Sequence, residues 1–360
     1  MVVVWTLVML ACQQDPDPDL TLVTTQTQVV TESNGGATIE IPIKPGVTSF
    51  LLTVSTTQRI AVRTVTDPDG VIVLDPTQWS DNQSLTEAIF VSGHDAVLNW
   101  PARSDDGPLK QGTYEVLVAV VDDNLELMSG QTVDAVIQTR TDANLFNGTV
   151  SIELMYAAGV ADNANVVEAT EAAVTRWAKI WGEAGLNLNV RYTQDTIDAN
   201  LPDLYNQGSQ IITAVSDSGN DDDILVIVGE QIGGQDNIYG YSGGIPGPLT
   251  GSERGAVLIS WLANAGGDGV FDDADIMLYG ETLAHEVGHY LGLFHPVEDG
   301  WLHWDALSDT PACQTTVECQ NNLGDNLMFP YPICDWDTCT PQEVLTTEQR
   351  HVCHRYTGTL

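Results

Sequence analysis

The chain has 360 residues, enough for two domains with separate cores, and 43% of them are hydrophobic, as in ordinary globular proteins. Fifty acidic residues against 12 basic ones give a formal net charge of -38, which argues against nucleic acid as a partner because phosphates need a basic surface. No internal run is long and apolar enough to predict a membrane span.

In chain order, residues 1–20 read as an export segment. A short apolar stretch ends in Met9-Leu10-Ala11-Cys12 and is followed by Gln13-Gln14-Asp15-Pro16-Asp17-Pro18-Asp19, whose prolines and charges suit a flexible tether. A small residue before Cys12 has the form of a bacterial lipoprotein signal, with a lipid on Cys12 as the one means of membrane attachment. An ordinary cleaved signal is the rival reading, and both place the mature protein outside the cytoplasm, as a cell-envelope lipoprotein or a secreted protein.

Residues 21–140 read as an all-β sandwich, jelly-roll-like. Thr38–Ile43, Phe50–Val54, Ile60–Val65 and Tyr114–Val121 are short, β-branched and partly alternating. Turn signals such as Asn34-Gly35-Gly36 and Asp67-Pro68-Asp69-Gly70 separate them. Nothing in this region converges on a chemistry, so a spacer or accessory binding role is expected.

From Gly148 the periodicity changes. Thr149–Leu154 predicts a strand, Asn165–Ala184 a helix interrupted on its apolar face by Thr170, and Leu186–Tyr192 another strand. Asp223–Val228 and Ala256–Ser260 predict buried strands, and a helix follows over about 276–292. Two acidic clusters, Gly219–Asp223 and Asp268–Asp275, offer oxygen ligands for calcium. Asp272, Asp273 and Asp275 suit a helix N-cap equally well.

The segment that decides the chemistry is His285-Glu286-Val287-Gly288-His289-Tyr290-Leu291-Gly292-Leu293-Phe294-His295. Residues four apart on an α-helix share a face, so His285 and His289 point the same way. Gly292 permits the chain to leave the helix and return with His295. Three neutral imidazoles leave the fourth tetrahedral position of one zinc ion open, the catalytic arrangement. Glu286 can then act as general base on a zinc-activated water. Three of only seven histidines fall in this segment. No G-x-S-x-G elbow offers a covalent alternative.

This extended motif is the metzincin signature, and the chain resembles that clan of zinc proteases, most closely the pappalysin (ulilysin-like) family. The similar pieces are the zinc motif, Leu307-Ser308-Asp309-Thr310-Pro311, Asp325-Asn326-Leu327-Met328 and Leu345-Thr346-Thr347-Glu348-Gln349. They span about residues 148–360. The resemblance implies an α+β metzincin domain there, with a twisted mixed sheet, a zinc-binding helix and Met328 in a turn beneath the metal. It also implies an edge strand beside Gly240–Leu249 that aligns substrate. Pappalysins usually place a tyrosine two residues after the turn methionine. Here that position is Pro330 and the nearest tyrosine is Tyr331, which is not assigned to the site.

Five cysteines, Cys313, Cys319, Cys334, Cys339 and Cys353, follow the zinc motif in a loop-rich stretch that suits disulfides in an oxidising compartment. An odd number leaves one thiol over, so two disulfides are expected. The resemblance implies Cys319–Cys339 as one of them. The expected function is an exported zinc-dependent endopeptidase acting on protein or peptide substrates. The alternative is a surface binding or adhesion lipoprotein with secondary protease activity.

Overall fold

The computed structural model describes residues 22–77, 85–91, 93–142, 144–202, 212, 223–298, 300–301, 303–335 and 338–360. The export segment with Cys12, and most of the Gly219–Asp223 cluster, lie outside these residues. The chain divides into two compact units, Met1–Asn144 with Arg355–Gly358 and Leu360, and Leu145–His354 with Thr359.

The first unit is antiparallel throughout. Its strands are β1 (Leu22–Val30), β2 (Gly36–Ile43), β3 (Ser49–Thr66), β4 (Ile72–Leu74), β5 (Gly93–Trp100), β6 (Gly112–Val121) and β7 (Thr132–Arg140). β2 shows why the sequence folds so: Ala37, Ile39, Ile41 and Ile43 are buried, while Thr38, Glu40 and Pro42 between them are exposed. The two predicted strands Phe50–Val54 and Ile60–Val65 are one strand of 18 residues. Ser55–Arg59, polar enough to read as a turn, continues the strand through register shifts instead. Its first half pairs with β5 and β7, and its second half with β4 and β6. All seven strands therefore belong to one hydrogen-bonded network rather than to two separate sheets. Arg355–Gly358 completes this unit. Asn99 Oδ1 accepts from Thr357 N and Oγ1, and Arg140 Nη1 donates to Tyr356 O.

The second unit is built on β8 (Gly148–Tyr156), α1 (Ala164–Glu183), β9 (Leu186–Gln194), β10 (Asn200–Leu201), β11 (Ile224–Gly229), β12 (Gln231–Ile232), β13 (Gly240–Ser242) and β14 (Val257–Ser260). It continues with α2 (Trp261–Asn264), α3 (Asp273–Tyr290), α4 (Thr316–Leu323), β15 (Cys334–Asp335), β16 (Thr338–Cys339) and α5 (Thr347–Arg355). The main sheet has the order β13-β14-β11-β8-β9, parallel except for the antiparallel edge strand β13. All six residues of β11 are buried, as expected of a central parallel strand. α1 buries Val166, Ala173, Trp177, Ile180 and Trp181. Thr170 fits that face because its hydroxyl donates to Val166 O and pairs with Tyr279 Oη on α3. Among the described residues, no helix is long and apolar enough to cross a membrane.

The disulfides correct one expectation. Cys313 pairs with Cys319, and Cys334 with Cys339, so the Cys319–Cys339 link does not form. Cys334 and Cys339 face each other across the β15–β16 ladder. Cys313 and Cys319 are buried together with Val297, Leu323 and Phe329. Each half-cystine thus has a local partner. Cys353 is the buried, unpaired thiol, and burial pushes its pKa up to about 12.

Candidate metal centre

α3 starts on a capping box: Asp272 accepts from Ala274 N and Asp275 N, and Asp275 accepts from Asp272 N. Asp268, Asp272 and Asp275 of the 268–275 cluster thus accept from backbone N–H groups. Among the described residues, only His285, His289 and His295 gather as a potential metal site, so the calcium expectation is not supported.

The helix ends at Tyr290 with a Schellman closure. Gly292 N donates to His289 O at 2.8 Å and Leu293 N to Gly288 O at 3.0 Å, with Gly292 at φ 108°. That turn carries the chain back over the helix and brings His295 to the other two histidines. Their imidazoles meet at Nε2. His295 Nε2 lies 3.2 Å from His289 Nε2 and 3.3 Å from His285 Nε2, and all three ligand atoms lie within 4.8 Å of one another.

The opposite nitrogens are all engaged. His285 Nδ1 meets Leu327 O at 2.7 Å, His289 Nδ1 meets Leu293 O at 2.6 Å, and His295 Nδ1 meets Glu298 Oε2 at 3.0 Å. Carbonyl and carboxylate oxygens only accept, so each Nδ1 carries the ring hydrogen and each Nε2 presents a lone pair inward. Lone pairs that face one another across about 3.3 Å without a proton between them repel unless a cation joins them. The edge of a tetrahedron with zinc–nitrogen bonds of about 2.0–2.1 Å is ~3.3–3.4 Å, which matches the observed spacing. Burial holds the His285 pKa down to about 3 and that of His289 well below its ordinary value, so both are neutral, as ligands must be.

Beneath the histidines, Met328 is fully buried against the helix. A Cβ on Gly288 would stand 2.7 Å from its sulfur, so the glycine lets the turn approach. The turn is fastened from outside: Asn326 exchanges side-chain hydrogen bonds with Gln349 on α5, and Leu327 N donates to Val344 O. Leu327 can thereby hold its carbonyl toward His285. Glu286 points toward β13, where a backbone N–H of Ser242 donates to its carboxylate, and burial raises its pKa to about 8. Gly240 makes this possible, since a Cβ there would lie 2.5 Å from Glu286 Cγ.

A cavity of about 270 Å³ opens beside His285 and Glu286. Tyr331 lines it and packs edge-on to Phe329 at 5.0 Å. Several structural partners are not visible in the sequence motif. Glu298 follows the motif by three residues without a telling pattern. Leu327, Leu293 and Ser242 act through backbone groups, which carry no side-chain signal.

No protein-family model matches the chain, and no curated protein matches it in sequence. Among solved structures, archaemetzincin from Methanopyrus kandleri is similar over 48% of this chain and 96% of that one, at 13% identity and a TM-score of 0.28. Metalloproteinase-II from Bacteroides fragilis is similar over 52% of this chain and 61% of that one, at 15% identity and a TM-score of 0.30. Similarity at that level leaves the reading of the site to its own geometry.

Proposed function

We propose that the chain is an exported zinc-dependent endopeptidase of the metzincin type, nearest in its motifs to the pappalysins, acting on protein or peptide substrates. The observation that carries this reading is the convergence of three imidazoles, with His295 Nε2 at tetrahedral-edge spacing from the other two Nε2 atoms and each Nδ1 anchored.

In this reading His285, His289 and His295 hold one zinc ion. Zinc bound there supplies Lewis-acid polarisation and lowers the pKa of a water molecule. Glu286 takes a proton from the attacking water at its carboxylate and hands it to the leaving amine. β13 is the antiparallel edge strand beside Glu286, the side on which an extended peptide can pair. The two disulfides support an oxidising compartment and hence export. All four proposed site residues lie in the second unit. The catalytic domain is proposed over 148–360 and the accessory β domain over 21–140, with Arg355–Gly358 and Leu360 falling in the first unit.

Metal analysis and turnover test the assignment together. The purified protein should carry about one zinc per chain, and His289→Ala should lose it. Glu286→Gln should keep the zinc and lose on the order of 10²–10⁴-fold in activity. Full zinc in His289→Ala, or normal turnover in Glu286→Gln, would defeat it. Stoichiometric zinc with no cleavage of any unfolded protein would favour a surface-binding role instead.

A further inference from the structure

β13 is three residues long and lies at the edge of the main sheet, so among the described residues β14 is its one ladder partner. Ladder bonds alone hold so short a strand weakly. Ser260 N donates to Tyr239 O and Gly243 N to Ala256 O, both at 3.0 Å. By the alternation of an antiparallel ladder, Tyr239, Tyr241 and Gly243 turn their backbone groups to β14, and Gly240 and Ser242 turn theirs away. The Ser242 N–H that reaches Glu286 agrees with this. The side turned away from β14 is therefore the side of the base.

Asn264, the last residue of α2, is fully buried behind this strand. Its Nδ2 donates to Tyr239 O at 3.1 Å and to Ser260 O at 2.8 Å, and its Oδ1 accepts from Thr282 Oγ1 at 3.0 Å. Carbonyl oxygens only accept, so they fix which side-chain atom is the nitrogen, and the Thr282 hydroxyl must be the donor to the other. Ser260 orients α2: its Oγ accepts from Ala263 N at 3.1 Å and donates to Glu230 O at 2.8 Å. Thr282 stands about one turn before Glu286 on α3, and both line the cavity of the metal centre. α3 is itself fastened to α1, where Arg176 Nη2 donates to Glu281 Oε1 at 2.8 Å and Thr170 pairs with Tyr279. The helix is thus the fixed member, and the short edge strand is the one that needs holding.

Resting on the peptidase reading above, we propose that Asn264 is a positioning residue. Through Thr282 and Tyr239 it sets the distance of β13 from α3, and so where an extended substrate paired on β13 meets Glu286. Two links join the helix to the strand. The link from Ser242 to Glu286 ends on the group that does the chemistry. The link Thr282–Asn264–Tyr239 takes no part in the chemistry and holds the strand throughout. Asparagine suits the place because its amide offers two donors and an acceptor in a small side chain. Aspartate would turn a carboxylate on two carbonyl oxygens, and leucine would leave the Thr282 hydroxyl without its acceptor.

The test compares two peptides that share one scissile pair. One carries about three residues on each side of the bond, enough to span β13, and the other a single capped residue on each side. Both are assayed with the zinc-loaded full chain. Pairing on the strand is binding shared by ground and transition states, so it shows in KM. The wild type should prefer the long peptide in kcat/KM. Asn264→Asp and Thr282→Val should each cut that preference by about tenfold, chiefly through a higher KM for the long peptide, with zinc still at one per chain. A general loss of folded protein would lower both peptides alike. Thr282→Val keeps the shape of the side chain, so it decides the matter if Asn264→Asp does not fold. A folded, zinc-bound variant with the wild-type preference overturns the proposal. So does loss of zinc from either variant, which would make the network part of the metal centre, and so does a Thr282→Val protein that fails to fold. A wild type with no preference for the long peptide overturns this proposal alone. No cleavage of any peptide by zinc-loaded protein overturns the peptidase reading on which it rests.

Discussion

Replacing Gly292 with alanine separates the backbone's part in placing the third histidine from the side chain's own. Gly292 sits at φ 108°, and the nearest atoms to a new Cβ would be Val352 Cγ1 at 3.5 Å and Pro246 Cβ at 3.9 Å. Those are ordinary contacts, so the methyl group fits and the cost is conformational. A non-glycine residue in this region costs about 1–3 kcal/mol. The chain can relax that strain only by moving φ, which rotates the two-residue link to His295. Gly159, at φ 76° with nothing within 4 Å of its would-be Cβ, is the control in the same unit. With metal chelated, Gly292→Ala and Gly159→Ala should each lose about 1–3 kcal/mol in urea unfolding. Competition with a zinc-binding dye should then separate them. Gly159→Ala should keep the wild-type Kd, and Gly292→Ala should bind zinc at least about tenfold more weakly, a further ~1.4 kcal/mol. A Gly292→Ala protein with strained stability but wild-type zinc affinity would refute the role given to this turn.

Three further outcomes are expected. Cys313–Cys319 and Cys334–Cys339 close separations of 6 and 5 residues, so chain entropy assigns each about 2 kcal/mol. Removing the buried Cys313–Cys319 pair should cost more than removing the other in urea unfolding, and a Cys319–Cys339 peptide in non-reduced mass mapping would contradict both assignments. In chelated protein, His285 takes up a proton only near about 3 and His289 well below its ordinary value, whereas the unfolded chain does so near about 6.5. The unfolded state therefore binds more protons between those values. Stability should fall as pH drops from about 6.5 toward about 3, by up to ~1.4 kcal/mol per pH unit for each histidine. Urea midpoints across pH should show a shallower slope in His285→Asn/His289→Asn, and identical slopes would count against burial of the two rings. Gly240→Ala, whose Cβ would strike Glu286 Cγ at 2.5 Å, should lower kcat while leaving zinc stoichiometry at one per chain; normal kcat would show that Glu286 does not need its seat against β13.

What was legible in the sequence follows the range of the interactions. Four-residue spacing, a glycine exit and a returning histidine are local rules, and the structure brings His285, His289 and His295 to one point. Strands of the second unit were readable from apolar runs, and Thr170, an apparent flaw in the α1 pattern, proves to be satisfied by Val166 and Tyr279. Other features depended on partners far away in the chain. Ser55–Arg59 reads as a break because polarity is visible in sequence and β-bulges are not. The acidic cluster at 268–275 has the composition of a cation site, but Asp272 and Asp275 form the capping box of the helix that follows. Arg176 and Glu281 stand 105 residues apart, and neither carries a motif. Cysteine pairing turned on which thiols the β15–β16 ladder sets face to face.

The segment that leaves α5 has a consequence for biosynthesis. Asn99 waits for Thr357, 258 residues further along, and buried Arg140 waits for the carbonyl of Tyr356, 216 residues on. A ribosome or translocon delivers the chain from its beginning, so the first-made unit stays unfinished while the whole of the second is produced. Contacts of such sequence separation are slow to form. Those two contacts thus stay unmade until residues 356 and 357 emerge, and a lesion at either would strike the part of the molecule that was made first.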